Sequence, residues 1–254
     1  MFPGDLLELS GVRLLLTTRY NAESAPIGGA DFDDPANLGG SHGAHSQTLD
    51  SRWAAIRDRF EVDGWPLVRL KQVHGNTVVT NALPSGHPPV EAKRGPIEVG
   101  EADAIVVDEP GVIGMIRTAD CGAVALVGSR AVAIVHAGWK GLASGVLEAA
   151  ASSLADAGTK ATHAVIGAHI RPCCYEFGQD DLDRVAAKVG DEVRSHTRGG
   201  APALDLGAGI EAVCRTLNVE VAYHEPTCTG CSERYFSHRT RRDVGRHGIL
   251  ACVR

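Results

Sequence analysis

Apolar residues along this chain fall into short runs separated by polar, glycine-rich segments, a rhythm of strands with helices set between them. "VRLLLTTRY" (12–20) reads as a first strand, and the Gly/Asp/Ser/His stretch over 21–50 is long enough to predict a functional or mobile loop. "SRWAAIRDRF" (51–60) carries Trp53, Ile56 and Phe60 at helical spacing, with Ser51 as the expected N-cap. "PLVRLKQVHGNTVV" (66–79) predicts a strand interrupted at Gly75, and continued alternation places His74 on one face with Val68, Leu70 and Gln72. A strand over Ala104–Val107 precedes two β-rich runs, "AVALV" and "AVAIV", that flank "GSR" and predict a hairpin. A helix from about Leu142 to Ala157, the strand "HAVIGAHI" (163–170) and helices around 180–195 and 207–217 come next. The strand "VEVAYHE" (219–225) and a last strand near "GILACV" complete the pattern. With no internal repeat or low-complexity linker, the expected architecture is a single α+β domain over residues 1–254, a mixed β-sheet core packed by helices.

Composition narrows the class of function. The 254 residues are 44% hydrophobic and 22% charged, and the net charge of −6 argues against nucleic acid or an anionic membrane as partner. No run approaches the roughly 18 apolar residues of a membrane span. The start "MFPGDLLELSGV" lacks the basic and apolar regions of a signal peptide. Seven cysteines, an odd number, predict reduced thiols in a cytoplasmic protein, available as ligands or nucleophiles. The expected partners are small molecules, for a monomer or a homodimer.

The hairpin concentrates that chemistry. If Gly128-Ser129 forms a two-residue turn, Val127 pairs with Arg130 and Cys121 lands opposite His136, with Cβ atoms about 4.5–5.5 Å apart. A three-residue turn makes the pair diagonal. Cysteine and a lone histidine are ordinarily buried structural residues. Here, however, Cys121 lies between Asp120 and Gly122, and His136 leads into the small residues of "AGWKG" at a strand-to-helix junction. His74, if it converges on the pair, completes an N/S set suited to zinc with one position open. Without it, Cys121 as nucleophile and His136 as base describe a hydrolase.

"KQVHG", "TADC", "HAGWKG", "CCYEF" and "YFSHRTRRDVGR" together resemble the YfiH-type family, once labelled multicopper polyphenol oxidases or laccase-domain proteins and now regarded as zinc-dependent purine nucleoside phosphorylases. The resemblance runs from about Leu15 to the C-terminus and implies that His74, Cys121 and His136 hold a catalytic zinc ion. It also implies phosphorolysis of adenosine, inosine, guanosine and methylthioadenosine, and hydrolytic deamination of adenosine. Bacterial relatives are described in addition as peptidoglycan-editing factors that remove a misplaced L-serine from a muramic-acid precursor. The chain departs from the family pattern at Tyr20-Asn21, at Ala123 and at Lys140, where Gly-Gly, proline and arginine are usual.

Zinc chemistry at such a centre suits attack of water on C6 of adenine. Phosphorolysis needs cations for the phosphate and a donor for the departing purine. The candidate phosphate contacts are Lys140, Arg171, Arg239 and Arg242; Asn37 is a further candidate substrate contact, and Tyr175 and Glu176 are candidates for base or proton contacts, Glu176 as the catalytic carboxylate. "CTGC" (Cys228, Cys231) is half of a zinc pattern, for which Cys173-Cys174 is the conceivable other half, although a complete structural site ordinarily shows a second CxxC. The loop histidines His42, His45 and His87 read as solvated, with His45 able to approach the site. Copper is disfavoured: multicopper electron transfer takes about ten histidines in paired clusters, and this chain has 11 histidines in all with no HxH pair.

Overall fold

The computed structural model describes residues 3–19, 37–39, 46–80 and 95–254, and for 46–49 the backbone alone. The loop histidines His42, His45 and His87 lie outside the described residues. Fourteen strands and six helices occur among the described residues, in a mixed α+β arrangement. One sheet runs in the order β1 (Gly4–Leu9), β2 (Val12–Thr17), β14 (His247–Val253), β7 (Ile113–Thr118), β3 (Leu67–Lys71), β5 (Ile97–Glu101). The second runs β13 (Glu220–His224), β10 (His163–Ile166), β8 (Gly122–Val127), β9 (Val132–Ala137), β6 (Ala104–Val107), β4 (Val78–Val79). A short ribbon pairs β11 (Arg194–His196) with β12 (Pro202–Leu204).

Alternation along the strands builds the layers. Val12, Leu14 and Leu16 of β2 meet Ala123, Ala125 and Val127 of β8 and Val132 and Ile134 of β9 in a core between the two sheets. The outward residues Leu15, Leu67, Ile113, Met115 and Leu250 pack on Trp53, Ile56 and Phe60 of helix α1 (Ser46–Phe60). On the far side, Val124, Leu126, Ala133 and Val135 pack on helices α2 (Trp139–Ser144), α3 (Val146–Asp156), α4 (Gln179–Val189) and α5 (Leu206–Thr216). The result is a four-layer helix–sheet–sheet–helix stack in which the central strands β2, β6, β8, β9 and β14 are buried on both faces and read as near-continuous apolar runs, whereas the edge strands β1, β5 and β13 are partly exposed. A short helix, α6 (His238–Arg241), precedes β14.

Several expectations are corrected. Helix α1 begins at Ser46, so Ser51 lies inside it and is no cap. The expected helix over 142–157 is two helices, broken at Gly145, whose φ of 84° is a left-handed conformation that few other residues adopt easily. β1, β5 and β7 escaped the reading because their polar or glycine-containing alternation carries a weak apolar signal.

His247, buried at the start of β14, donates from Nε2 to the Ala168 carbonyl at 3.4 Å and lies 5.2 Å from the Tyr235 ring. Burial above all, with Arg246 and Arg241 nearby, holds its pKa down at about 4 against the pull of the Ala168 carbonyl and Asp120. The folded chain therefore keeps this ring neutral while the unfolded chain protonates it below about 6.5. Its contribution is complete above that value and is lost as pH falls towards 4, about 2 kcal/mol between pH 7 and pH 5. Denaturant unfolding at the two pH values is expected to show that loss reduced by a comparable amount in His247→Gln; an identical loss in both chains would remove His247 from the acid transition.

Candidate active site

At one end of the stack the chain leaves the first sheet at Thr118, the last residue of β7, and enters the second at Gly122, the first residue of β8. Cys121 sits on this crossing. The turn is tight: Asp120 has a φ of 100°, an uncommon conformation for a non-glycine residue, and its carboxylate pins it. Asp120 Oδ1 accepts from Thr229 Oγ1 at 2.6 Å and Oδ2 from the Arg239 backbone N–H at 2.6 Å. Thr118 Oγ1 donates to the Cys121 carbonyl at 2.7 Å.

The hairpin register differs from the expected one. Val127 pairs with Val132, and Ala123, not Cys121, lies opposite His136. The connection is residues 128–131, closed by a 2.9 Å bond from Gly128 N–H to the Ala131 carbonyl. Cys121 thus stands just before the ladder, diagonal to His136, and the two still meet. His74 also arrives by another route. β3 ends at Lys71, so strand alternation does not carry to His74; the residue sits in a turn with φ 63°. Its Nε2 lies 3.9 Å from Cys121 Sγ, and its ring packs edge-on to that of His136 with centroids 4.7 Å apart. The three ligand atoms of His74, Cys121 and His136 lie within 4.8 Å of one another. Gly138 is needed here, since a Cβ would stand 3.0 Å from His74 Cδ2 and 3.1 Å from Cys121 Sγ.

Asp103, at the mouth of β6, organises the cluster. Its Oδ1 accepts from His136 Nδ1 at 2.8 Å and from the His74 backbone N–H at 2.9 Å. Its Oδ2 accepts from the backbone N–H of Gly75 at 2.6 Å and of Val73 at 3.2 Å. One fully buried carboxylate therefore orients the His136 ring and pins the turn that presents His74. Burial opposes ionisation of Asp103 most strongly, but His136 and the Gly75 and His74 N–H groups outweigh it and lower its pKa. Burial likewise opposes both other changes: bonds to His136 and His74 bring the Cys121 thiol down to about 6, and Asp103 with Cys121 raises His136 to about 9. With Asp103 on its Nδ1, His136 turns Nε2 towards the cluster, an arrangement common in carboxylate–histidine–metal sites.

These groups open into a cavity of about 680 Å³, inside the roughly 300–1,000 Å³ range of small-molecule sites. Its lining includes His74, Cys121, His136, Tyr175 and Arg239, together with Trp139, Arg117 and Arg246. Tyr175 and Trp139 form an aromatic wall through Phe177, whose ring centroid is 5.2 Å from Tyr175 and 5.4 Å from Trp139. The Arg239 guanidinium lies over the Tyr175 ring at 5.1 Å.

Other expected residues lie elsewhere. Lys140 is exposed, with Nζ 5.5 Å from the centre of the Trp139 ring, and does not line the cavity. Arg171 is turned away, its Nη2 donating to the Glu225 carbonyl at 2.6 Å. Glu176 is exposed and bridges Ala203 through its backbone. Arg242 is the left-handed cap of α6 and is also absent from the lining. Asn37 is buried and its Oδ1 accepts from the backbone N–H groups of Gly39 at 2.6 Å and Arg246 at 2.8 Å, so it shapes the rim on which Gly39 and Arg246 stand. The sequence reading missed Asp103, Asp120, Trp139, Arg117 and Arg246. Asp103 had one legible signal, an acid directly ahead of the wholly apolar strand "AIVV".

A family model described as "Multi-copper polyphenol oxidoreductase laccase" matches residues 13–254. A Streptomyces coelicolor protein named purine nucleoside phosphorylase is 32% identical, the match covering 94% of each chain. A Pseudomonas aeruginosa protein of the same name is 32% identical over 94% of this chain and 92% of its own. Among solved structures, a Neisseria meningitidis protein superposes with a TM-score of 0.75 at 26% identity over 98% of each chain. YfiH of Bacillus licheniformis superposes with a TM-score of 0.76 at 24% identity, covering 96% of this chain and 93% of its own, a likeness of fold. Family model, relatives and architecture agree over nearly the whole length, and the chain belongs to the YfiH family of multi-copper polyphenol oxidoreductase laccase-type proteins.

Proposed function

We propose that this chain is a single catalytic domain that cleaves purine nucleosides (adenosine, inosine, guanosine and methylthioadenosine) with phosphate, and deaminates adenosine, using zinc held by His74, Cys121 and His136. The observation that carries the reading is the convergence of those three ligand atoms, within 4.8 Å of one another, at the cavity; relatives named purine nucleoside phosphorylase support it. A mixed N/S set of three suits zinc with one position open. Among the described residues no further histidine joins such a group, which favours zinc over a multicopper centre. Bound there, zinc supplies Lewis acidity.

The remaining work falls to the cavity walls. In phosphorolysis a phosphate oxygen forms a bond to C1′ of the ribose as the C1′–N9 bond breaks, and the electron pair leaves with the purine. Arg239, Arg117 and Lys71 line the cavity as cations for the phosphate, and Trp139 and Tyr175 offer flat apolar faces to the base. Burial above all, with the Cys121 charge nearby, pushes the Tyr175 phenol pKa well up, so it stays protonated and can donate to a purine nitrogen. Developing negative charge on the leaving base is what such a donor stabilises.

A second reading has its own observation. Asp103, His136 and Cys121 are linked as acid, base and thiol, and a thiol near pKa 6 beside an imidazole near 9 describes a thiolate–imidazolium pair. Such a pair could open an amide such as the muramyl-serine bond. The experiment is metal analysis of the purified chain read beside chromatography of adenosine incubated with and without phosphate. Zinc at the centre with phosphate-dependent release of adenine is the expected result, and inosine formed in both incubations adds deamination. Intact adenosine with no metal overturns the phosphorylase reading and moves the test to the muramyl-serine precursor.

A further inference from the structure

We propose that Cys173, Cys174, Cys228 and Cys231 form a second zinc site, closed and structural, that staples together the two segments behind the Tyr175 wall of the cavity. The half-pattern "CTGC" does find its partner in "CC", although the two are more than fifty residues apart in sequence. The four sulfurs lie within 4.8 Å of one another. Cys173 and Cys174 Sγ are 3.8 Å apart, Cys173 and Cys231 3.6 Å, and Cys174 and Cys231 3.3 Å. Four thiolates around one zinc at about 2.3 Å stand about 3.8 Å apart along each edge of the tetrahedron, so these separations need only small adjustments. All four cysteines are free thiols.

The backbone is shaped for this approach. Residues 172–174 form one turn of 3₁₀ helix, in which Cys174 N–H donates to the Arg171 carbonyl at 3.0 Å. On the other side Cys231 N–H donates to the Cys228 carbonyl at 3.1 Å, curling both thiols to one side. Gly230 stands where the two segments meet: a Cβ there would lie 2.9 Å from Cys174 Cβ and 3.1 Å from Cys174 Sγ. Two of the four sulfurs also face donors. Arg171 N–H points at Cys228 Sγ at 3.3 Å, and Arg198 Nη2 reaches Cys231 Sγ at 3.4 Å. Binding replaces four S–H protons by one Zn²⁺ and leaves the cluster with two net negative charges, which the N–H donor and the Arg198 guanidinium offset. Four protein ligands leave no position for substrate, in contrast to the three-ligand centre.

The placement gives the staple a consequence. Tyr175 follows Cys174 directly and its N–H is tied to the Pro172 carbonyl at 3.1 Å. Thr229, between the other two thiols, is the residue that pins Asp120 and so the turn carrying Cys121. Thr240 Oγ1 and Arg241 Nη1 tie α6, with Arg239, to Gly230 and Thr229 at 3.4 and 3.2 Å. Tyr175 and Arg239 are therefore positioned through the thiol cluster. Losing its metal is expected to weaken nucleoside binding without emptying the His74 centre.

The test is zinc content of the full chain, purified under reducing conditions and dialysed against zinc and then buffer. The expected result is about two equivalents in the wild type and about one in His74→Ala and in Cys231→Ser. Cys231 is exposed, so its serine variant leaves the core untouched. Cobalt(II) loaded into His74→Ala is expected to give thiolate charge-transfer absorption that disappears on adding Cys231→Ser, and Cys231→Ser alone is expected to raise KM more than it lowers kcat. Zinc content unchanged by Cys231→Ser, or a disulfide among the four thiols in the zinc-treated chain, overturns the second site. Metal lost in Cys231→Ser but kept in His74→Ala would uphold it while removing the first.

Discussion

His74→Ala is expected to strip zinc from the three-ligand centre and to lower adenosine phosphorolysis at least about a thousandfold, beyond the 10–100-fold cost of losing a mere outer contact to a metal ligand. The side chain is exposed and bonds to nothing that the core needs, so the effect should come without unfolding. Its backbone φ of 63° does add some strain for alanine, about 1 kcal/mol. His74→Asn, whose residue type tolerates that conformation, is the companion variant, and thermal melting checks that both remain folded. The residue also separates the two chemical readings of the site. A metal centre needs the third ligand, whereas a Cys121–His136 nucleophile and base with Asp103 behind them do not. Full activity in His74→Ala, together with inactivity in Cys121→Ala, would establish the thiol mechanism and end the zinc one. Metal and activity lost together in both variants is the expected outcome.

That the decisive residue is His74 shows where sequence patterning works and where it stops. The hairpin was legible because "AVALV" and "AVAIV" are uninterrupted β-rich runs with a small polar turn between them. Its register was not, because a connection of two residues and one of four both fit within "GSRA", and the choice depends on how Gly128 and Ala131 close the loop. Cys121 and His136 still meet since a diagonal neighbour is within reach of both side chains. His74 converges for a reason no alternation could supply: a buried carboxylate at the mouth of a different strand captures three successive backbone N–H groups, those of Val73, His74 and Gly75. The thiol cluster was half visible for a similar reason. Spacing within "CTGC" is local, but its meeting with Cys173-Cys174 is produced by the packing of segments that adjoin β10 and β13. Of the candidate arginines Arg239 lines the cavity while Arg171 and Arg242 do not, because a guanidinium can serve a substrate or a backbone carbonyl with equal ease, and Arg171 serves Glu225.

Asp103→Asn is expected to be the most damaging change at a residue that touches no substrate. The substitution keeps the shape but halves the acceptors, and the present carboxylate accepts four hydrogen bonds. If the new amide turns its oxygen to His136, its NH₂ faces the N–H groups of Gly75 and Val73 and the turn carrying His74 is pushed away. If it turns its NH₂ to His136, Nδ1 must accept, the ring proton moves to Nε2, and no lone pair is left to face the cluster. Either arrangement removes a ligand from the centre. Loss of the negative charge also removes one of the two influences, Asp103 and Cys121, that hold the His136 pKa up at about 9. Zinc affinity, read by competition with a chelator, is expected to fall about 10–100-fold, and kcat/KM at low zinc by about 10³–10⁴-fold, the scale reached when a histidine is held in the wrong tautomer. Raising zinc should recover part of the activity, because the defect is in holding the metal. A rate loss that saturating zinc leaves untouched would place Asp103 behind a catalytic His136–Cys121 pair instead, and unchanged affinity with unchanged rate would deny it any role in orienting the site.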